Sequence, residues 1–174
     1  MSRKKLLFVG LALCLHLSPA AANSAGTVTT QGAVQSDKIK LIAKQPIGKC
    51  VLRVARKYHL DPYLIWAVKR VETGSSLKGD IVGHNTNGTK DVGFMQTNTI
   101  HMEKLAAYGI TENDLKQPCV SIEVGGWMLA TLISKHGVRE GVGRYHSKTP
   151  KYKYPYIKKV FKEWLTLVRA AQDI

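Results

Sequence analysis

Acidic residues are scarce in this sequence. Only 12 of its 174 residues are Asp or Glu, against 26 Lys and Arg, which gives a formal net charge of +14. A surface with this balance attracts anionic partners. Nucleic acid, cell-wall carboxylates and anionic lipid all satisfy that requirement, so charge alone does not select the partner.

The sequence also lacks the spacing of common metal and phosphate sites. The histidines at 59, 84, 101, 136 and 146 lie far apart, without the H-x-x-x-H spacing of a zinc-binding helix. Gly141-Val142-Gly143 is too short for a phosphate-binding loop, and the chain has no internal repeat. We therefore expect no metal ion and no cofactor.

Long apolar runs are absent except near the N-terminus. There a basic start precedes the apolar run Leu6 to Leu17, and Pro19-Ala20-Ala21-Ala22 follows with small residues. This order is typical of a secretory signal peptide over residues 1–22. The run is short for a membrane anchor, and Leu13 stands where a lipoprotein site at Cys14 needs a small residue. We expect export to the periplasm, with no membrane anchor left after cleavage.

Cysteine is rare, with three residues in the chain. Removal of the signal peptide leaves Cys50 and Cys119, an even pair in an oxidising compartment. We predict that they form a disulfide, which would close a long loop and stabilise the fold by about 4 kcal/mol. Two buried free thiols are the alternative.

The rest of the chain divides into a lead-in and one domain. Residues 23–46 begin with a stretch rich in Ala, Gly, Ser, Thr and Gln, which is typical of a flexible segment. Apolar residues then recur at helical spacing, so residues 47–172 are expected to form one mainly α-helical α+β domain. A small β element is expected near residues 82–96, and Asn98 is a candidate cap for a helix that follows.

Capping residues predict where the main helices begin and end. Asp61-Pro62 is an N-cap followed by Pro at the first helical position, and Gly74 is a stop signal. Pro118 and Gly137 bound a long helix in the same way. Pro155 is expected to open the last helix, which has an apolar face.

Two carboxylates are candidates for catalysis. Glu72 lies in the last turn of a strongly apolar predicted helix, where an apolar wall disfavours the charged form and raises the pKa. A carboxyl that is protonated near neutral pH suits a general acid. Asp91 follows 91 − 72 = 19 residues later, and two carboxylates flanking a sugar are typical of glycoside cleavage. Taken singly, Glu72 also fits a solvated surface residue and Asp91 a turn residue.

The sequence around Asp91 carries a more specific pattern. From Asn85 to Asn98 the chain contains a Gly turn, then Asp91, a Gly, two apolar residues and a Gln. With Glu72-Thr73-Gly74 upstream, it resembles the lytic transglycosylases of the lysozyme superfamily, in which a Glu-Ser pair is followed by Gly-Leu-Met-Gln. The resemblance covers about residues 47–147 and implies a lysozyme-like fold. The resemblance is strongest to the small transglycosylases that accompany conjugation, type III and type IV secretion, and pilus assembly.

This resemblance implies a role for each matching residue. Glu72 corresponds to the catalytic acid/base, and Asp91 to the second carboxylate of animal-type lysozymes. Gln96 and Asn98 match polar residues that bind the glycan near the scissile bond, and Met95 matches the apolar floor of the cleft. Many transglycosylases need no second carboxylate, because the substrate's N-acetyl group assists and the muramoyl 6-hydroxyl closes a 1,6-anhydro ring.

A third motif of the family, Ala-Tyr-Asn, is Arg144-Tyr145-His146 in this chain. The resemblance implies that Tyr145 hydrogen-bonds Glu72 or the sugar. Arg144 and His146 depart from the motif. They leave open whether His146 replaces the substrate contact of the usual Asn.

The segment from Lys148 to Lys162 interleaves lysine with tyrosine. Such a composition fits nucleic-acid binding. It also fits a solvated helix face beside a sugar cleft, where tyrosines stack on pyranose rings. We prefer the second interpretation and expect no nucleic-acid partner, because the chain is expected to be exported.

The N-terminal sequence predicts an exported protein, and we expect a monomer. The resemblance implies an enzyme that cleaves the β-1,4 bond between N-acetylmuramic acid and N-acetylglucosamine in peptidoglycan glycan strands. The resemblance further implies local opening of the wall for a secretion, conjugation or pilus apparatus. A hydrolytic lysozyme that uses Asp91 is one alternative. A non-catalytic basic factor that binds glycan or transferred DNA is the other.

Overall fold

The computed structural model describes residues 42–172, so the predicted signal peptide and most of the predicted lead-in lie outside the described residues. Six helices lie wholly within this part: α1 Gly48–Tyr58, α2 Pro62–Thr73, α3 Met102–Ala106, α4 Pro118–His136, α5 Val138–His146 and α6 Pro150–Ala170. Short 3₁₀ turns are present at Thr99–His101 and Asp114–Lys116.

Three short strands form an antiparallel sheet in the order β1-β2-β3. They are β1 Val82–His84, β2 Lys90–Val92 and β3 Thr97–Asn98. The register places Gly83 opposite Asp91 and Asp91 opposite Asn98. The expected mainly α-helical α+β class, with a small β element in this region, is confirmed.

Helix α2 is the central helix of the core, and its ends follow from local chemistry. The Asp61 carboxylate accepts a hydrogen bond from Tyr63 N at 2.7 Å, and Pro62 occupies the first turn, where no N–H is needed. Every residue from 63 to 69 is buried. Gly74 ends the helix at φ +60°, so Glu72 lies in the last turn, as predicted.

The other helices pack around α2. Helix α6 lies along α2, while α4 contacts α1 and α5. The core contains apolar residues from all of these helices and from the turn between β2 and β3, including Val51, Ile65, Phe94, Met95, Leu129 and Val160. Ile42 belongs to the same core, five residues before the predicted domain boundary at 47.

Helix α6 begins earlier than the sequence predicted. Pro150 takes the first helical position, and the Thr149 carbonyl accepts hydrogen bonds from Tyr152 N at 3.1 Å and Lys153 N at 2.9 Å. Pro155 lies inside the helix, so the expectation that it opens the last helix is wrong. A Pro at this position removes one helical hydrogen bond. Burial of the apolar face that follows outweighs that loss.

The predicted disulfide between Cys50 and Cys119 is confirmed. It joins α1 to the first turn of α4, with the two Cα atoms 5.3 Å apart. Hydrogen bonds also join the same two helices: Glu123 of α4 accepts from Lys57 Nζ at 2.5 Å and from Tyr58 OH at 2.8 Å.

Among the described residues, no helix is both long and apolar enough to span a bilayer.

Candidate active site

Glu72 lies where the end of α2 meets α6. Tyr156 of α6, which is only 5% exposed, donates a hydrogen bond to Glu72 Oε1 at 2.6 Å. Burial raises the pKa of Glu72 from its usual 4.5 to about 7; the Tyr156 hydrogen bond lowers it, and the negative charge of Asp91 raises it further. A carboxyl with this pKa is partly protonated near neutral pH, so it can both donate and accept a proton.

Tyr145 does not make the contact with Glu72 that the family resemblance offered as one possibility. Its hydroxyl donates instead to the Met95 carbonyl at 2.8 Å, and Tyr156 holds the carboxyl. Burial raises the pKa of both tyrosines well above 10, so both remain protonated donors. Tyr145 therefore fixes the turn around Met95.

Asp91 is held in the sheet by two amides. Asn85 Nδ2 donates to Asp91 Oδ2 at 2.9 Å, and Asn98 Nδ2 donates to Asp91 Oδ1 at 2.8 Å. The Thr89 hydroxyl oxygen lies 3.1 Å from each of the same amide nitrogens. Both carboxylate oxygens are thus engaged. Asn98 also caps the following 3₁₀ turn, because its Oδ1 accepts from Ile100 N at 2.9 Å, which matches its predicted capping role.

A tight turn connects β2 to β3 at the site. Gly93 has φ +75°, and a Cβ at this position would lie 2.0 Å from the Leu115 carbonyl oxygen, so only glycine fits. Gln96 has φ +46°, an uncommon value for a residue with a side chain. Its Nε2 donates to the Gly93 carbonyl at 2.8 Å. Backbone strain of this kind tends to occur at functional sites, where the surrounding structure holds it in place.

Met95 lies beneath this turn rather than on its surface. Its side chain is fully buried, and a Cβ on Gly125 of α4 would come within 2.4 Å of Met95 Cβ. The Met95 N–H donates to Ser121 Oγ at 3.0 Å. These contacts make Met95 an apolar support under the turn.

His146, the departure from the family motif, stacks on Tyr156. The two rings are 4.6 Å apart and inclined by only 6°. Partial burial lowers the pKa of His146; the charge of Asp91 raises it, and that of Lys159 lowers it. His146 therefore covers the tyrosine that holds Glu72 and lies within electrostatic reach of Asp91.

The sequence did not indicate two residues of this site. Tyr156 is 84 positions from Glu72. It lies in the segment from Lys148 to Lys162, where lysines are interleaved with tyrosines. The sequence signal that could have revealed its burial is its helical spacing of four residues from Val160, which is also buried. Lys69, the other residue, lies within the apolar run of α2.

Lys69 is 2% exposed and holds the chain that follows Glu72. Its Nζ donates to the Gly74 carbonyl at 3.0 Å and to the Ser76 carbonyl at 2.6 Å. The same ammonium lies 4.7 Å from the Phe94 ring centroid. Burial lowers the pKa of Lys69, and the nearby charge of Arg70 lowers it further. A buried cation is thereby paired with carbonyl oxygens and an aromatic face at the C-terminal end of α2.

The Transglycosylase SLT domain family matches residues 49–148, which include Glu72, Asp91 and the motif at 144–146. The chain therefore belongs to the SLT transglycosylase family. It is a lytic transglycosylase with a lysozyme-like fold, and the resemblance stated from the sequence is confirmed. Tyr156 lies beyond the matched residues.

Several relatives are similar over more than half of this chain. Invasion protein IagB from Salmonella typhimurium is 34% identical over 124 residues, which is 68% of this chain and 76% of that protein. Protein IpgF from Shigella flexneri is 27% identical over 130 residues, or 71% of this chain and 84% of the relative. X polypeptide from Escherichia coli is 34% identical over 100 residues, 56% of this chain and 58% of the relative.

Proposed function

We propose that this lytic transglycosylase is exported and cleaves the β-1,4 bond between N-acetylmuramic acid and N-acetylglucosamine, with Glu72 as general acid and base. The observation that carries the proposal is a buried carboxyl whose pKa is raised to about 7 and whose oxygen is held by Tyr156 at 2.6 Å. Protonated Glu72 donates to the glycosidic oxygen as the bond breaks. The resulting carboxylate then takes the proton of the muramoyl 6-hydroxyl, which closes a 1,6-anhydro ring.

Asp91 acts through its charge in this scheme. Both of its oxygens accept amide hydrogen bonds, which orient the carboxylate and make it a poorer nucleophile. The substrate's N-acetyl group supplies the nucleophile. Asp91 favours the positive charge that develops on the sugar and, by repulsion, helps to keep Glu72 protonated.

The other predicted site residues bind or support the glycan. The Asn98 amide donates to Asp91, and the Gln96 amide donates to the Gly93 carbonyl. Tyr145 and His146 lie next to the Tyr156–Glu72 pair. Met95 supports the turn from below. We assign these residues to orientation of the sugar at the scissile bond.

The proposed role in the cell is local opening of the peptidoglycan wall for a secretion, conjugation or pilus apparatus. Similarity to a relative named Invasion protein IagB supports this proposed role. Export rests on the N-terminal sequence, with its basic start, apolar run and small residues before position 23.

The test is the product profile and activity of Glu72→Gln. The amide is nearly isosteric but is not a general acid, so cleavage of purified peptidoglycan should fall about 10²–10⁴-fold. Glu103→Gln, an exposed position on α3, is the matched control and should retain activity. Mass spectrometry of the released muropeptides should find anhydro ends from the unchanged protein.

Two outcomes would contradict the proposal. Full activity of Glu72→Gln would show that Glu72 is not the general acid. Products with reducing ends would instead favour the hydrolytic lysozyme that uses Asp91.

The melting temperature checks that the Glu72→Gln variant is folded. The Glu72 carboxyl stabilises the fold below pH 4.5, and this contribution is lost as pH rises to about 7, so at pH 8 the variant should melt no lower than the unchanged protein.

A further inference from the structure

We propose that His146 is a positioning residue for the general acid: its ring holds Tyr156 in place, so that the tyrosine hydroxyl stays on Glu72 Oε1 and leaves Oε2 to carry the proton that is transferred. The proposal rests on the proposed function. It gives His146 a role that acts through Tyr156, besides the orientation of the sugar.

The stack of His146 on Tyr156 is the contact that carries the proposal. The two ring centroids are 4.6 Å apart and the ring planes differ by only 6°, so the two faces lie flat against each other. Tyr156 is 5% exposed, and its hydroxyl donates to Glu72 Oε1 at 2.6 Å. A ring stacked on one face of the tyrosine restricts its movement. The hydroxyl at the far end of the tyrosine ring therefore keeps its place on the carboxyl.

Helix α5 is fixed against α6 independently of this stack. Glu140 of α5 accepts a hydrogen bond from Arg144 Nε at 2.8 Å and one from the buried Lys153 Nζ of α6 at 2.7 Å. A Cβ on Gly143 would lie 2.5 Å from Lys153 Cγ, so the two helices are in close contact there. The pair of helices thus brings the His146 ring to a defined position.

The hydrogen bond from Tyr156 determines which oxygen of Glu72 carries the proton. Burial keeps the pKa of Tyr156 well above 10, so its hydroxyl is a donor and Oε1 accepts. The carbonyl oxygen of a protonated carboxyl is its better acceptor, which places the acidic proton of Glu72 on Oε2. Release of Tyr156 would let the proton occupy either oxygen, and only one of them can face the glycosidic bond.

The charged and titratable groups around this pair come from three elements. Glu72 faces Tyr156 of α6, Tyr145 of α5 and Asp91 of β2. His146 is influenced by Asp91 and by Lys159 of α6, and partial burial lowers its pKa. The imidazole is therefore neutral near pH 7, where it stacks on Tyr156 without adding a charge beside Glu72.

The experiment is a double-mutant cycle between His146 and Tyr156 in the full chain. It compares His146→Ala, Tyr156→Phe and the double variant with the unchanged protein. His146→Phe tests rescue, because it keeps an aromatic plane and removes the ring nitrogens. His136→Ala, at an exposed histidine near the end of α4, is the matched control. For each protein, kcat and the pH dependence of kcat/KM are measured on purified peptidoglycan, and the pKa of Glu72 is measured by NMR of isotope-labelled glutamate.

His146→Ala should lower kcat about three- to tenfold, the worth of one aromatic pair. It should also move the alkaline decline of kcat/KM to higher pH, because loss of the Tyr156 donor disfavours the carboxylate. His146→Phe should restore both quantities, and His136→Ala should change neither. In the Tyr156→Phe background, His146→Ala should have no further effect.

An equal fall in kcat in both backgrounds, or failure of His146→Phe to restore it, would overturn the proposal and leave His146 as a contact to the sugar alone. A decline that moves to lower pH in His146→Ala would also overturn it, because the ring would then act only by keeping water from Glu72. Melting temperatures check that each variant is folded.

Glu72→Gln in the same assay tests the proposed function separately. If that variant cleaves as well as the unchanged protein, the proposed function fails. The pKa of Glu72 measured by NMR across the cycle then still decides whether His146 holds Tyr156 on the carboxyl. A pKa that rises in His146→Ala and not in His146→Phe supports this role, and an unchanged pKa contradicts it.

Discussion

The pKa of Glu72 is set by opposing influences that single substitutions can separate. Burial and the charge of Asp91 raise it, while the Tyr156 hydrogen bond lowers it. Activity that requires protonated Glu72 should decline as pH rises above about 7. Tyr156→Phe should move this decline to higher pH, because it removes a donor that favours the carboxylate. Asp91→Asn should move it to lower pH, because it removes a repelling charge. The measurement is kcat/KM against pH.

The direction of the two shifts is the decisive result. If the pH of the decline moves in the same direction in both variants, or in neither, then the decline in kcat/KM reflects the titration of a group other than Glu72. Tyr152→Phe is a suitable control, since Tyr152 is an exposed tyrosine of the same helix. Its pH profile should match that of the unchanged protein.

Lys69 joins the stability of the fold to the position of Glu72. Lys69→Met keeps the apolar stem but leaves the Gly74 and Ser76 carbonyls without their donor. We expect the free energy of unfolding to fall by about 2 kcal/mol and kcat to fall, because the chain after Glu72 is released. Chemical denaturation and steady-state kinetics measure these effects.

Lys78→Met provides the comparison, because Lys78 is an exposed residue a few positions beyond the same turn. It should change neither quantity. Wild-type stability and kcat in Lys69→Met would show that the two carbonyls find other partners at no cost.

At the scale of the elements, the disulfide fastens α1 to α4. It closes a loop with a sequence separation of 69 residues, so replacing both Cys50 and Cys119 by alanine should lower the free energy of unfolding by about 4 kcal/mol. The site itself is formed by α2, α5, α6 and the sheet. Activity at a temperature where the variant is folded should therefore persist. Equal stability with and without a reducing agent in the unchanged protein would contradict this role.

Local signals predicted some elements well. Asp61-Pro62 and Gly74 fixed both ends of α2 and placed Glu72 in its last turn, because capping depends on neighbouring residues alone. The start of α6 was misplaced because Pro150 and Pro155 offer the same local signal, and tertiary burial decides between them. Tyr156 and Lys69 were missed for a related reason. Their partners are a distant helix and two backbone carbonyls, which no spacing in the sequence reports.

At the scale of the whole molecule, the charge predicts how the protein meets its substrate. The full sequence has a formal net charge of +14, and loss of Arg3, Lys4 and Lys5 with the predicted signal peptide leaves 14 − 3 = +11. Binding to purified cell-wall sacculi should therefore weaken as salt rises, because ions screen attraction to wall carboxylates. Sedimentation of bound protein at increasing sodium chloride measures this dependence. Binding that does not change with salt would instead indicate recognition by shape and hydrogen bonds.

The contribution of α6 to the site also determines when a growing chain can become active. Glu72 precedes Tyr156 by 84 residues, so the carboxyl proposed as general acid is synthesised well before the helix that buries it. Until α6 docks along α2, that carboxyl is hydrated, keeps its usual pKa near 4.5 and is ionised at neutral pH. A partly synthesised chain therefore lacks the proton that cleavage requires. We therefore expect the proposed activity only once the last helix has docked along α2.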